Sequence, residues 1–577
     1  MRTAENAPGA GERRWVWAGL AAVLAGGLAL RLWGVRQGLP YVYNVDEATH
    51  FVTHAVQMFG GGLNPHYFAN PPGFTYLLHG VFALWYGGGS AAQRALEGDP
   101  AGIFTLARVA SALLGTIALW LLYLTGARLF SRPAGLLAAA ILAVAFLPVF
   151  YAHLAVNDVP TLAPLTLSLL GSAGVLRSGR RSDYLLAGLG LGLACASKYT
   201  AGIVILPLIA AIVARRRSHP QESSRTVAGI AIAALCALAA FLAANPYSLL
   251  DYSAFHSELV HQSALSAESQ GKLGAPRDGG LAYYLWTLTW GFGWVPAIAA
   301  LAGAVMIWRR DTAAGWMLVP APVLFLAFMG LQGRYFGRWL MPIFPILALL
   351  AAFAALALAR AGAARMGGRP RWARAAAGAL LVAAILAQGL IYSVHSGIVL
   401  SRADTRAQAR TWMLAHIPAG SHIVAEPVSP DQWARQEPGA PACPHYVWCK
   451  YPSFISRINP GGALTATTRQ VGIEDYERTL SPALLGWYTA HGYCWVLTGS
   501  TESGRAGADP QAVPNAVAYY RALERQGERV FSASPYGAGQ GPVPFGFDWS
   551  FDYYPLAYAR PGPALVLYRL HGARCGA

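Results

Sequence analysis

Charge is what this sequence has least of. Asp, Glu, Lys and Arg make up 12% of its 577 residues, where a soluble globular protein carries about 25%. Length alone would permit several soluble domains. The shortage of charge, with 55% hydrophobic residues and a mean hydropathy of +0.38, excludes that and points to an integral membrane protein with many spans. Lysine is nearly missing: of 43 basic residues only Lys198, Lys272 and Lys450 are Lys, and the rest are Arg. The net charge of +16 comes from Arg clustered between apolar runs, which is topology signalling and not a nucleic-acid footprint. No nucleic-acid partner is expected. Of six cysteines, Cys195 and Cys236 lie in apolar runs, and Cys443, Cys449, Cys494 and Cys575 lie in the last third. No CxxC pair occurs, so a zinc ribbon or thioredoxin-like site is excluded. Four cysteines in one polar region fit disulfides in an oxidising compartment, with their connectivity open. Internal repeats and low-complexity tracts are lacking too.

Eleven apolar segments are present, near 15–33, 103–126, 133–150, 160–176, 183–197, 199–214, 226–244, 284–307, 314–330, 338–359 and 373–394. Each is close to the length that crosses a hydrocarbon core of about 30 Å. The loops "ERR" (12–14), "ARLFSR" (127–132), "RSGRR" (177–181), "ARRRSHPQESSR" (214–225), "WRRD" (308–311) and "RMGGRPRWAR" (365–374) are Arg-rich and alternate with Arg-poor ones. The positive-inside rule then sets the N-terminus in the cytoplasm. Loops 34–102, 151–159, 245–283 and 331–337, the turn at 198 and everything after 395 face out. Residues 72–88, "PGFTYLLHGVFALWYGG", are apolar enough to span, but a span there would invert every later loop. They are expected as a helix in the outer interface, with Trp85 and Tyr86 at headgroup level. The 15–33 run is longer than a signal-peptide core and no small-residue cleavage site follows it.

After about residue 400 the composition changes. "DTRAQARTWMLAHIP" (404–418) has the apolar spacing of an amphipathic helix. "GSHIVAEP" (420–427), "YCWVLTGS" (493–500) and "ALVLYRL" (564–570) read as strands, and "NAVAYYRALERQGERVFSA" (515–533) as a helix followed by a strand. The expected fold is a polytopic α-helical membrane region, 1–398, followed by a soluble extracytoplasmic α/β domain, 399–577.

With that topology the unusual polar residues fall on the outer side. Asp46 and Glu47, in "YNVDEATHFV", follow the first span. Asn157 and Asp158, in "YAHLAVNDVP", end the third. Lys198 sits in the turn "ASKYT". Arg334 and Arg338, in "GRYFGRW", precede the tenth. Ionisable groups at the bilayer are expensive, so a convergent set is a candidate site. Basic groups at the membrane boundary can hold the phosphate of a lipid, Lys as a point charge and Arg as a fork. A carboxylate beside them can take a proton from an incoming hydroxyl. Together they suit attack on a sugar carried by a lipid phosphate, the phosphate leaving as its charge is neutralised.

"YNVDEATHFVTHAVQMFGGGLNPHYFANPPGFTYLL" resembles the first extracytoplasmic loop of the GT-C glycosyltransferases, in the branch of the protein O-mannosyltransferases and lipid A aminoarabinose transferases. "RVASALLGTIALWLLYLTGARLF", "YAHLAVNDVPTLAPLTLSLL", "GLGLACASKYTAG" and "RYFGRWLMPIFPILALLAA" resemble its later signatures in the same order, over residues 15–360. "DTRAQARTWMLAHIPAGSHIVAE" resembles the start of the C-terminal domain in bacterial members. The resemblance implies a GT-C fold of about eleven transmembrane helices and a polyprenyl-phosphate sugar as donor. It also implies a glycan, lipid or protein acceptor and a multi-pass place in the plasma membrane. By the same likeness Asp46 is the general base and Asp158 lies in the active site; Glu47 joins the candidate catalytic set as the neighbour of Asp46. Lys198, Arg334, Arg338 and His66 form the donor-phosphate set.

Each residue also has a plain reading. A DE pair in a loop is often only solvated, "NDVP" is a good helix start, and Lys and Arg snorkel at interfaces. Lys272 and Arg277, in the long polar loop 245–283, are solvated by default. His50 and His54 share a helical face at a metal-binding spacing but lack a third ligand, so no metal is expected. Two other functions compete. A transporter or flippase would place its charges near the midplane, on broken helices within internal repeats. A polymerase or ligase working on diphosphate-linked glycans would show a larger Arg cluster in the outer loops.

Overall fold

The helix ends are set by short polar caps at the rims of long apolar runs. A computed structural model describes residues 10–267, 273–274, 279–434, 447–451, 457–458, 469–470, 473–546 and 555–576. Lys272, Arg277 and Cys443 lie outside the described residues, as does the side chain of Cys449. Asp99 accepts from Ala101 N at 3.2 Å and Asp311 from Ala314 N at 3.0 Å. Each satisfies a donor that the first helical turn leaves unpaired.

Among the described residues eight helices are long and apolar enough to cross a membrane, or nine if the bent pair Arg132–Val144 and Phe146–His153 is one span. The chain is a multi-pass membrane protein. The other two expected segments, 160–176 and 183–197, form helices Leu162–Arg177 of 16 residues and Arg181–Ser197 of 17. At about 1.5 Å per residue both fall short of a 30 Å core. These two pack closely through glycines. A Cβ on Gly171 would sit 2.2 Å from Ala187 N, and one on Gly192 would sit 2.1 Å from Ala237 O in helix Ser223–Ala244. Small residues allow such backbone approach, which is how helices associate in lipid. The stretch 72–88 forms helix Gly73–Tyr86, of 14 residues. It is too short to span and leaves Leu84 and Trp85 exposed.

The bent span shows how the fold accommodates a broken helix. Its two halves meet at 63°, at Ala145, whose ψ of 129° leaves the helical range. Pro148 follows and has no N–H to return to Val144. Carbonyls freed inside a membrane need new donors. Arg31 supplies two, from Nη1 to Ala143 O at 3.1 Å and from Nη2 to Leu142 O at 3.3 Å. Ser393 supplies the third, to Val144 O at 3.0 Å.

Beyond helix Arg371–Leu400 the chain builds a mixed sheet. Its strands are β1 (His422–Ala425), β2 (Cys449–Tyr451), β5 (Tyr493–Gly499), β6 (Glu528–Ala533) and β7 (Leu565–Arg569), in the order β2-β1-β5-β7-β6. Strands β3 (Arg457–Ile458) and β4 (Arg469–Gln470) pair separately. β1 runs parallel to β2 and β5, while β7 is antiparallel to β5 and β6. Alternation sends Val424 and Val496 to one face, against helices Ala483–Ala490 and Pro514–Gln526. Ile423, Ala425 and Leu497 go to the other, against helix Thr405–His416. Cys494, in β5, is disulfide-bonded to Cys575.

Candidate active site

The site is assembled from turns that end helices. Asn44 starts the first: its side-chain oxygen accepts from Glu47 N at 3.0 Å. Neighbouring residues on a helix point about 100° apart, so Asp46 and Glu47 go different ways. Asp158 follows the bent span, in a turn where Asn157 donates to Ser197 O at 2.6 Å. That bond ties it to Lys198, the extended residue between helix Arg181–Ser197 and the 3-10 turn Tyr199–Val204. Arg338 lies in the 3-10 turn Gly337–Ile343, which leads into helix Phe344–Arg365.

These turns bring four charges into one line. Arg338 Nη2 donates to Asp46 Oδ2 at 2.7 Å. Arg338 Nε lies 3.8 Å from Asp158 Oδ2. Lys198 Nζ pairs with Asp158 Oδ1. Phe336 stacks under the Arg338 guanidinium at 4.3 Å, and Arg338 Nη1 donates to Tyr151 OH at 3.4 Å. Asp158, Lys198 and Arg338 are 4, 12 and 13% exposed, whereas Asp46 is 37% exposed. Asp46 is therefore the open end of the line.

Glu47 is not part of it. It is fully buried and accepts from Arg108 Nε at 2.7 Å, Arg108 Nη2 at 2.8 Å and Ala155 N at 2.8 Å. Three hydrogen bonds hold its carboxylate within the fold, away from the line. His66 is exposed, with a backbone φ of +48° and its N–H on Asn64 Oδ1. Arg334 packs 5.9 Å from the Phe336 ring, and its backbone N donates to Ser266 O. Arg338 bridges the two carboxylates, Asp46 and Asp158. His50 and His54 both stack on Tyr67, at 5.0 and 4.9 Å. Burial lowers the pKa of His50, partly opposed by Asp46 at 3.8 Å. Among the described residues no three His, Cys, Asp or Glu side chains gather as a metal site would require.

Two structural side chains escaped the sequence reading although a signal existed. Arg108 and Arg31 each stand alone in an apolar run, and an intramembrane Arg calls for a named partner. Glu258, whose carboxylate accepts from Phe68 N and Ala69 N at 2.6 and 2.8 Å, holds the first loop from a distant helix and carried no signal.

Above Asp46 lies a cavity of about 430 Å³. Residues 43–46 and Arg338 line it together with Arg406, Pro427, Val428 and residues 500–504. The charged line thus opens into a space roofed by the sheet region.

Residues 103–243 match the profile of the dolichyl-phosphate-mannose-protein mannosyltransferases. Among solved structures, an oligosaccharyltransferase of Archaeoglobus fulgidus, AglB, with an inhibitory peptide and a dolichol-phosphate, superposes with a TM-score of 0.52 at 14% identity. The match covers 94% of this chain and 77% of that one. The apo form of the A. fulgidus oligosaccharyltransferase gives 0.52 at 13% identity over 91% and 74%. The fold is that of the GT-C glycosyltransferases. The GT-C enzyme ArnT of Cupriavidus metallidurans, in its apo state, superposes with a TM-score of 0.46 at 13% identity over 98% of this chain and 100% of that one. No curated protein matches the sequence.

Proposed function

We propose that this chain is an integral membrane glycosyltransferase that moves a monosaccharide from a polyprenyl-phosphate donor to an acceptor hydroxyl. The observation that carries the reading is the line Asp46–Arg338–Asp158–Lys198, which meets the cavity at Asp46 and Arg338 and is most exposed at Asp46. The GT-C fold and the mannosyltransferase profile support the same reaction class, and the archaeal neighbour is bound to a dolichol-phosphate.

In this reading Lys198 and Arg338 hold the donor phosphate. Asp158 positions both cations. The acceptor oxygen attacks the anomeric carbon from the face opposite the phosphate. The bond from that carbon to the phosphate oxygen breaks, and the acceptor proton passes to Asp46. Polyprenyl phosphate leaves with its charge met by the two cations, so no general acid is needed. The anomeric configuration inverts.

The Arg-rich loops support a cytoplasmic N-terminus and a sheet region, 399–577, outside the plasma membrane. The disulfide Cys494–Cys575 supports that side, because disulfides persist in oxidising compartments. Donor and acceptor then meet where nucleotide sugars are not made. A transporter or flippase is disfavoured, because the charges gather at a cavity under a folded roof.

The test uses the full chain in proteoliposomes with radiolabelled polyprenyl-phosphate mannose or arabinose. Label should move to an acceptor, and Asp46→Asn should slow transfer by about 10²–10⁴-fold. An Asp46→Asn variant with full activity would remove the proposed base.

A further inference from the structure

The cavity above Asp46 has features that a phosphate site does not call for. Two buried polar atoms on its walls lack a hydrogen-bond partner among the described residues: the Tyr43 hydroxyl and Glu502 Oε2. They come from distant parts of the sequence. The Tyr43 ring is pinned by Arg406, whose guanidinium stacks on it at 3.5 Å while Asp404 holds Nη2 at 2.7 Å. Glu502 is 1% exposed, and Arg505 lies 3.6 Å from its other oxygen. Burial pushes the Glu502 carboxyl above its usual range, partly opposed by Arg505. Buried polar groups are normally satisfied, and two orphans on one cavity call for a ligand that brings both donors and acceptors.

The remaining wall narrows the choice. Tyr536 and Tyr558 contribute two aromatic rings, edge to face at 5.1 Å, and Ser500 and Thr501 contribute hydroxyls. Flat aromatic faces beside dense hydroxyl and carboxyl groups match a molecule with apolar C–H faces and a rim of hydroxyls. A peptide recognised by strand addition would need a sheet edge. The edges here are β2 and β6, and neither lines the cavity.

We propose that the acceptor is a carbohydrate, seated in this cavity with one hydroxyl toward Asp46 and others on Tyr43 and Glu502. The inference rests on the transfer reaction proposed above.

The experiment offers the purified full chain in nanodiscs a radiolabelled polyprenyl-phosphate hexose and three acceptors in turn: a methyl hexose disaccharide, a Ser/Thr pentapeptide and a lysophospholipid. Label is expected in the disaccharide. Tyr43→Phe, which removes one oxygen, should raise the disaccharide KM about tenfold or more with the donor KM unchanged. Monodeoxy disaccharides should show the same loss on the unaltered protein, so the result does not depend on a variant folding. Label in the peptide or the lipid but not the disaccharide overturns this inference and leaves the transferase reading standing. An unchanged disaccharide KM in both Tyr43→Phe and Glu502→Gln also overturns it. If no acceptor is labelled and the donor stays intact, both readings fall.

Discussion

Replacing Glu47 by Gln separates the two neighbouring carboxylates by what each one loses. Glu47 is fully buried and receives three hydrogen bonds, two from Arg108 at 2.7 and 2.8 Å and one from Ala155 N at 2.8 Å. Arg108 Nη1 also donates to Val35 O and Gln37 O, at 2.8 Å each. The pair therefore fastens the end of the first span and the first loop to helix Pro100–Leu129 and to the turn before Asp158. Glu47→Gln leaves the Arg108 charge buried without its counterion, which costs about 3–5 kcal/mol. Thermal unfolding in detergent should shift down by several degrees. Asp46→Asn, at a 37% exposed position, should melt like the parent while losing turnover. Removing both buried charges, Glu47→Gln with Arg108→Leu, should melt above Glu47→Gln alone, because no charge is left stranded. If Glu47→Gln melted normally and lost turnover, the structural assignment of Glu47 would be wrong.

Arg338→Lys keeps the charge but cannot reach two carboxylates with a planar fork. Donor turnover should fall about 10²–10³-fold, and a Lys variant with full rate would mean that charge alone suffices. Lys198→Met should raise the donor KM and leave the melting profile near that of the parent; an unchanged donor KM would take Lys198 off the phosphate. Burial raises the Glu426 carboxyl well above its ordinary value of 4.5, and Glu502 adds to the effect. The folded state then binds the proton more tightly than the unfolded one, so stability falls as pH rises above about 4.5 toward the folded pKa. Glu426→Gln should flatten that fall and raise the melting temperature at pH 7–8; an unchanged pH profile would refute it. The Cys494–Cys575 bridge spans 81 residues, a loop worth about 4.5 kcal/mol on chain entropy. Reduction should lower the melting of the sheet region and speed its proteolysis, and identical traces would show that the bridge contributes little.

The sequence made some of this legible because chemistry and scarcity marked it. Lys198 stood out among three lysines, and Asp46 and Asp158 by their positions after apolar runs. The elements after residue 400 follow period-2 and period-3.6 patterns that the structure repeats, from helix Thr405–His416 to strand Leu565–Arg569. Span lengths were harder. Hydropathy does not register where a cap ends a helix, and Leu162–Arg177 and Arg181–Ser197 stop at 16 and 17 residues. The direction of Glu47 was not legible, because it depends on the Asn44 cap and on Arg108, 61 residues away. The disulfide partner of Cys494 was hidden until β7 was laid beside β5, where Leu570 N reaches Cys494 O at 2.8 Å. The cavity is a product of tertiary structure alone, since Tyr43 and Glu502 share no local pattern.

Arg338 gives the proposed mechanism an order of events. It contacts both carboxylates, but they do not depend on it equally. Asp158 also pairs with Lys198 and is 4% exposed, whereas Asp46 is 37% exposed. A donor phosphate competing for the Arg338 fork would therefore draw it from Asp46 before Asp158. On that account the base is held by an ion pair until the donor arrives, and its release is coupled to filling of the phosphate site. A carboxylate so gated is idle when no donor is bound, which suits a site that opens to water through its cavity.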